Sequence, residues 1–154
     1  MHSDDIPNIV HNLIPILAIT DSGSNWLPFI IEVRRSVKVM YVVNFNERDI
    51  TNVDLPGAKN ATVRWLIGTR TGALNYAMRL FEIAPGGIVP LHSHEEEHQI
   101  FVLKGKAKLI GELEGYAKKD DVVFVPPNEP HGYDNTEGTE VFRFICVIPL
   151  LNKK

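Results

Sequence analysis

From Met40 onward the apolar positions fall into short runs that turn residues cut apart. "ATVRWLIG", "NYAMRLFEIAP", "QIFVLKGKAKLIGE", "DVVFVPP" and "TEVFRFICVIP" follow one another, each closed by proline, glycine or a polar cluster. This spacing predicts strands, with the third run folding as a hairpin near Gly105. No long segment of residues 60–154 keeps apolar side chains at i, i+3, i+4 and i+7, so no helix is expected there. The pattern points to an all-β sandwich or barrel. Residues 1–39 read differently. Two apolar patches, "IPILAI" and "WLPFIIEV", are broken by "TDSGSN" and by Pro7, Pro15 and Pro28, without a sustained helical period. The expected division is an N-terminal extension over 1–39 and a folded unit over 40–154.

Composition narrows this picture. With 154 residues and a hydrophobic fraction of 44%, the chain suits one domain with a sizeable core and is too short for two. A net charge of −3 with both signs interspersed supplies no basic face for a phosphate backbone, so nucleic acid is not an expected partner. Cys146 is the single cysteine, which excludes an internal disulfide and fits a reducing compartment. No apolar run approaches the roughly 20 residues of a membrane helix, and the opening "MHSDDIPN" is acidic where a secretory signal is basic. The expectation is a cytoplasmic protein without a membrane partner. Asn60, Ala61 and Thr62 match a glycosylation sequon and carry no weight in that setting. Lys104, Lys106 and Lys108 alternate as the solvated side of a strand does.

Candidate chemistry enters with the histidines. Three of the six lie in "LHSHEEEH", at His92, His94 and His98. Side chains at i and i+2 of a strand share a face, so His92 and His94 form half of a metal site, and His98 has the same parity. Downstream, Pro126, Pro127 and Pro130 stiffen a turn that delivers His131 to the next strand. Neutral imidazole is a good transition-metal ligand at neutral pH. Single histidines are usually structural, and His2 and His11 are read so. Four at this spacing, backed by an apolar strand, point to a metal site.

The same residues carry a resemblance to the cupins. Gly86–Gly105 reads G-x5-H-x-H-x3-H-x6-G, which is similar to the first cupin motif, G-x5-H-x-H-x3-4-E-x6-G. Residues 120–135, "DDVVFVPPNEPHGYDN", resemble the second, G-x5-P-x-G-x2-H-x3-N, with Pro126, His131 and Asn135 in register. "MRLFEIAPGG", "EHQIFVLKG" and "PNEPHGY" resemble small single-domain type-2 cupins, and His98 in place of the usual glutamate suggests their four-histidine metal-binding branch. Asp120 and Asn128 replace two motif glycines. Both residue types tolerate a left-handed backbone, so the turns are expected to survive.

What the resemblance implies is a double-stranded β-helix, or jelly-roll barrel, that holds a divalent metal on His92, His94, His98 and His131. Four neutral donors leave the full dipositive charge on the ion and two positions of an octahedron open. Manganese(II) or iron(II) is expected, while nickel, copper and zinc also suit imidazole. The metal of small cupins lies inside the barrel, so Tyr133, Phe144 and Cys146 are candidates for a substrate-pocket wall. Phe142, Phe144 and Cys146 share one parity and are expected to face inward, although a small buried hydrophobe is the usual role of such a cysteine. A dioxygenase-like manganese or iron oxidoreductase acting on a small organic substrate ranks first among functions. A metal-dependent isomerase or lyase and a non-catalytic binding module are the alternatives. No general base is evident, Glu95, Glu96 and Glu97 are read as rim carboxylates, and no basic phosphate clamp stands out. A homodimer is expected, because barrel edges need cover.

Overall fold

The computed structural model describes residues 40–151. The expected extension over 1–39, with His2 and His11, lies outside them. Within the described residues the strands are β1 (Thr51–Asn52), β2 (Lys59–Ile67), β3 (Tyr76–His92), β4 (His98–Lys104), β5 (Lys106–Gly111), β6 (Gly115–Lys118), β7 (Val122–Val125), β8 (His131–Asn135) and β9 (Phe142–Pro149). Two short 3-10 turns, Phe45–Glu47 and Thr69–Thr71, are the only helical elements described. Every pairing is antiparallel, in the order β6-β5-β8-β3-β9-β4-β7, with β2 on β3 and β1 on β2. The result is the expected all-β, nearly closed jelly-roll barrel. No helix among the described residues is long and apolar enough to cross a membrane.

β9 shows why the pattern folds this way. Phe142, Phe144, Cys146 and Ile148 are buried, and the residues between them are only partly so. The period of two puts one side of the strand into the core. Full burial of each large apolar side chain stabilises the barrel by about 1.5–3 kcal/mol. The expectation that Phe142, Phe144 and Cys146 face inward holds.

β3 is the spine. Its first half pairs with β2 and β9, and its second half, from Gly87 to His92, pairs with β8. The chain bends between the halves at Gly86, where φ is +77°. A Cβ on Gly87 would sit 2.7 Å from the Ala84 carbonyl oxygen, so only glycine permits this close approach. The bend lets one 17-residue strand serve both walls of the barrel and carry its last residue, His92, to one end.

One local expectation is overturned. β4 and β5 do not form a hairpin: β4 pairs with β7 and β9, and β5 with β6 and β8. Gly105 takes the chain from one wall to the other with φ at +77°. A hairpin and a wall-to-wall crossing both need a glycine there, and the pattern alone does not separate them. The three lysines are exposed as expected, but they lie on two strands. Asp120 and Asn128 have φ of 73° and 64°, the left-handed backbone expected of residues standing in for glycine.

Candidate metal centre

The histidines meet because three elements end at one place. His92 closes β3 and is the direct cross-strand partner of His131, which opens β8. Their ring centroids are 4.4 Å apart. His98 opens β4 opposite Val125 of β7. His94 is not in a strand, contrary to the simple parity argument: β3 stops at His92, and a loop over residues 93–97 carries it. That loop is fixed by the proline-rich turn, because Asn128 N–H donates to the His94 carbonyl at 2.8 Å. The left-handed Asn128 thus ties the first motif to the second.

All four rings pack together, with the His98 centroid 4.6 Å from that of His94 and 4.7 Å from that of His131. His92, His94 and His131 each offer one nitrogen to a group whose members lie within 4.8 Å of one another. His98 points its Nε2 elsewhere, 3.3 Å from Nη2 of Arg79. A guanidinium only donates, so that Nε2 accepts and the proton sits on Nδ1, which is buried without a partner.

Backbone carbonyls set the other tautomers. His92 Nδ1 donates to the Pro90 carbonyl at 2.9 Å, and His131 Nδ1 donates to the Glu129 carbonyl at 2.8 Å. A carbonyl cannot donate, so both rings carry their proton on Nδ1 and keep an Nε2 lone pair for the centre. The His131 Nε2 is buried with no hydrogen-bond partner, which is costly unless something binds there. Glu96 Oε2 lies 3.2 Å from His94 Nδ1 without hydrogen-bond alignment, an electrostatic contact on the outer side of that ring. Glu97 is turned away and accepts from Gln99 Nε2 at 3.1 Å.

Burial favours the neutral form of His94, His98 and His131. It holds the pKa of His131 down to about 4, against the upward pull of the Glu129 hydrogen bond. His98 is held at about 2 by burial first and then by the charge of Arg79 and the neighbouring imidazoles. His94 is also lowered, since burial outweighs the Glu96 carboxylate. Convergent lone pairs, fixed tautomers at His92 and His131 and an orphaned buried nitrogen fit a divalent transition metal.

The centre lies at the wall of a cavity of about 440 Å³. Tyr133 and Phe144 line it, together with Trp65, Phe81 and Val89. Phe81 and Phe144 stack with centroids 5.1 Å apart and planes 8° from parallel. Tyr133 is 4% exposed, its hydroxyl has no partner, and burial pushes its pKa above the ordinary value. Cys146 lies behind the wall and not on it, accepting from Arg79 Nη2 through Sγ at 3.1 Å. The segment Thr51–Leu55 lines the cavity as well, which the sequence did not indicate.

Arg79 is the residue that sequence reasoning passed over. It has the parity of Ala77, Phe81 and Ile83 on β3, so a cation sits in an otherwise apolar inward series. That misplaced charge was the available signal.

Comparison with known proteins agrees with the fold and its motifs. A family model described as "Cupin domain" matches residues 79–148. The polyketide cyclase RemF from Streptomyces resistomycificus is 34% identical over 75% of this chain and 83% of its own, with a TM-score of 0.69. A predicted oxalate decarboxylase from Thermotoga maritima is 25% identical over 72% of this chain and 100% of its own, with a TM-score of 0.63. A sugar phosphate isomerase from Silicibacter pomeroyi, 16% identical over 72% of this chain and 76% of its own with a TM-score of 0.62, shares the fold. No curated protein matched. The chain belongs to the cupin family. Its cluster of three histidines is of the kind that holds a metal ion.

Proposed function

We propose that the protein is a metal-dependent enzyme of the isomerase, lyase or cyclase kind, acting on a small planar carbonyl compound that passes through an enolate. The observation that carries this is the placement of three imidazole donors at the side of an aromatic cavity in which Tyr133, the one phenol among the described lining residues, is buried and unpartnered. His92, His94 and His131 would hold the ion, while His98 packs against them and would join as a fourth ligand only by giving up Arg79 from its Nε2. A bound divalent ion supplies Lewis acidity towards a carbonyl oxygen. Tyr133, kept protonated by burial, donates a hydrogen bond to an oxygen that gains charge. Phe81 and Phe144, stacked on one another, make an apolar wall that excludes water and gives a flat substrate an aromatic surface to lie on. The 34% identity to a polyketide cyclase supports this order of preference over the dioxygenase reading that ranked first on sequence.

The oxygenase reading stays as the second, because an all-imidazole site leaves the charge of manganese(II) or iron(II) undiminished. The two separate experimentally. Protein loaded with zinc should accelerate deuterium exchange at the α-carbon of benzoylacetone above the buffer rate, with no dioxygen consumed. Exchange at the buffer rate with zinc, together with oxygen uptake in the iron-loaded protein, would reverse the ranking.

We also propose a homodimer built on the edge strand β7, where Val122, Phe124 and the neighbouring Phe101 are 77%, 61% and 44% exposed. Replacing both Val122 and Phe124 by lysine should turn a dimer into a monomer in light scattering. A wild-type monomer at micromolar concentration contradicts this.

A further inference from the structure

Arg79 holds a positive charge in the cavity without a negative partner among the described residues. Its guanidinium lines the same space as His92, His94 and His98. Among the described residues its hydrogen-bond acceptors are Cys146 Sγ at 3.1 Å and His98 Nε2 at 3.3 Å, both reached through Nη2 and both neutral. Nε is buried with no partner. No described carboxylate comes within 4.0 Å of it, although Asp54 lines the same cavity. Arg143, on the same barrel, shows the usual solution, with Nε donating to Glu82 at 2.8 Å. Arginine is seldom left inside a protein without an anion, because removing its charge from water is costly.

The residue is held in place rather than adrift. Its backbone is paired with Cys146 across the β3–β9 ladder and with Trp65 across β2–β3. The guanidinium carbon stands 5.5 Å from the Trp65 ring centroid and 5.0 Å from that of Phe81. Those two faces offer cation–π attraction, worth about 0.5–2 kcal/mol, which partly offsets the missing anion. A planar fork whose Nη1 has no partner among the described residues suits an oxyanion, and the flat aromatic walls beside it favour one carried on a planar body over a neutral sugar.

We infer that Arg79 recognises a carboxylate on a planar, conjugated or aromatic ligand, and that this charge is present on the ligand before any reaction. The ligand's flat body lies against Phe81 and Phe144, while its carboxylate takes the guanidinium. The inference rests on the proposed reading only in treating this cavity as the substrate site; it does not depend on the metal being present. A volume of about 440 Å³ is in the range of small-molecule sites, roughly 300–1,000 Å³. Arg79 is thus a specificity-determining residue that the histidine motifs do not announce.

Calorimetric titration of the whole protein with benzoate and with benzamide, which has the same shape but no charge, tests this. Metal-free and zinc-loaded forms are each measured for wild type, Arg79→Gln and Arg79→Lys. Wild type should bind benzoate at least tenfold more tightly than benzamide in the metal-free form. Arg79→Gln should lose that preference and leave benzamide within twofold, and Arg79→Lys should keep part of it, having the charge without the fork. Circular dichroism and zinc stoichiometry report whether each variant folds. If Arg79→Gln does not fold, the partial loss in Arg79→Lys carries the test. Equal binding of the two probes by wild type, or an undiminished preference in a folded variant, overturns the inference. Should zinc fail to bind while the benzoate preference persists, the metal reading fails and this one stands; zinc binding without the preference is the reverse.

Discussion

Acid should unfold the metal-free protein earlier than its carboxylates alone require, through His131 and His98. Both have folded pKa values below the unfolded 6.5, at about 4 and about 2, so the unfolded chain binds more protons than the native one. Their neutral burial therefore contributes fully above pH 6.5 and is lost as the pH falls towards the folded values. At pH 5 the unfolded chain holds a proton on each ring while the native one holds almost none. Relative to pH 7, each ring then removes about 2 kcal/mol, or about 4 kcal/mol together. Any folded value below about 4 gives nearly the same loss at pH 5, because the unfolded pKa then sets the difference. The rings are 6% and 5% exposed, so solvent screening takes little away. Against a typical domain stability of about 5–15 kcal/mol this is a large share. The assay is urea unfolding at pH 7 and pH 5 with a chelator present, for wild type, His131→Gln and His98→Gln. Each variant should lose about 2 kcal/mol less than wild type between the two pH values. If both variants keep the full wild-type loss, the buried rings are not neutral in the way described here.

Other predictions address the site and its frame. His98→Ala should leave close to one ion per chain, because His92, His94 and His131 remain as donors and His98 Nε2 faces Arg79. Glu97→Ala should leave metal content unchanged, since that carboxylate faces Gln99. An empty site in Glu97→Ala beside an intact one in His98→Ala would mean that the loop carboxylates hold the ion. Asn135 is 1% exposed and its Nδ2 donates to the carbonyls of Ile83 and Glu140, each at 2.9 Å. Asn135→Ala should destabilise the protein by about 2–4 kcal/mol in urea unfolding, as two bonds go and two carbonyls lose their donor; a loss under about 1 kcal/mol would show that water replaces the amide. A Cβ at Gly105 would meet the Val141 carbonyl oxygen at 2.4 Å with φ at +77°. Gly105→Ala should therefore lose at least about 2 kcal/mol, more than left-handed strain alone, and a stable Gly105→Ala protein would show that the crossing between walls can shift.

The fold was legible because a half-buried strand must alternate, and β9 does so over a long enough run to show it. β6 was not legible, since four residues, "GYAK", are too few for a period. The β4–β5 crossing was misread for a different reason: a left-handed glycine marks a change of direction without saying where the chain goes next. At the site, the histidine spacing and the proline-rich turn identified the four residues that the structure gathers. The direction of His98 Nε2 was out of reach, because it depends on Arg79, nineteen residues away in sequence and brought near by strand pairing. Cys146 could be assigned to the interior by parity, but parity does not distinguish the cavity wall from the layer behind it.

The central claim is that His92, His94 and His131 together form a metal site. Its most direct test is the metal content, by plasma mass spectrometry, of untagged protein equilibrated with a divalent transition metal and then desalted. Wild type should carry close to one ion per chain, and His92→Ala and His131→Ala should each carry almost none while remaining folded by circular dichroism. A wild-type protein that stays empty, or an ion kept in full by both variants, contradicts the account.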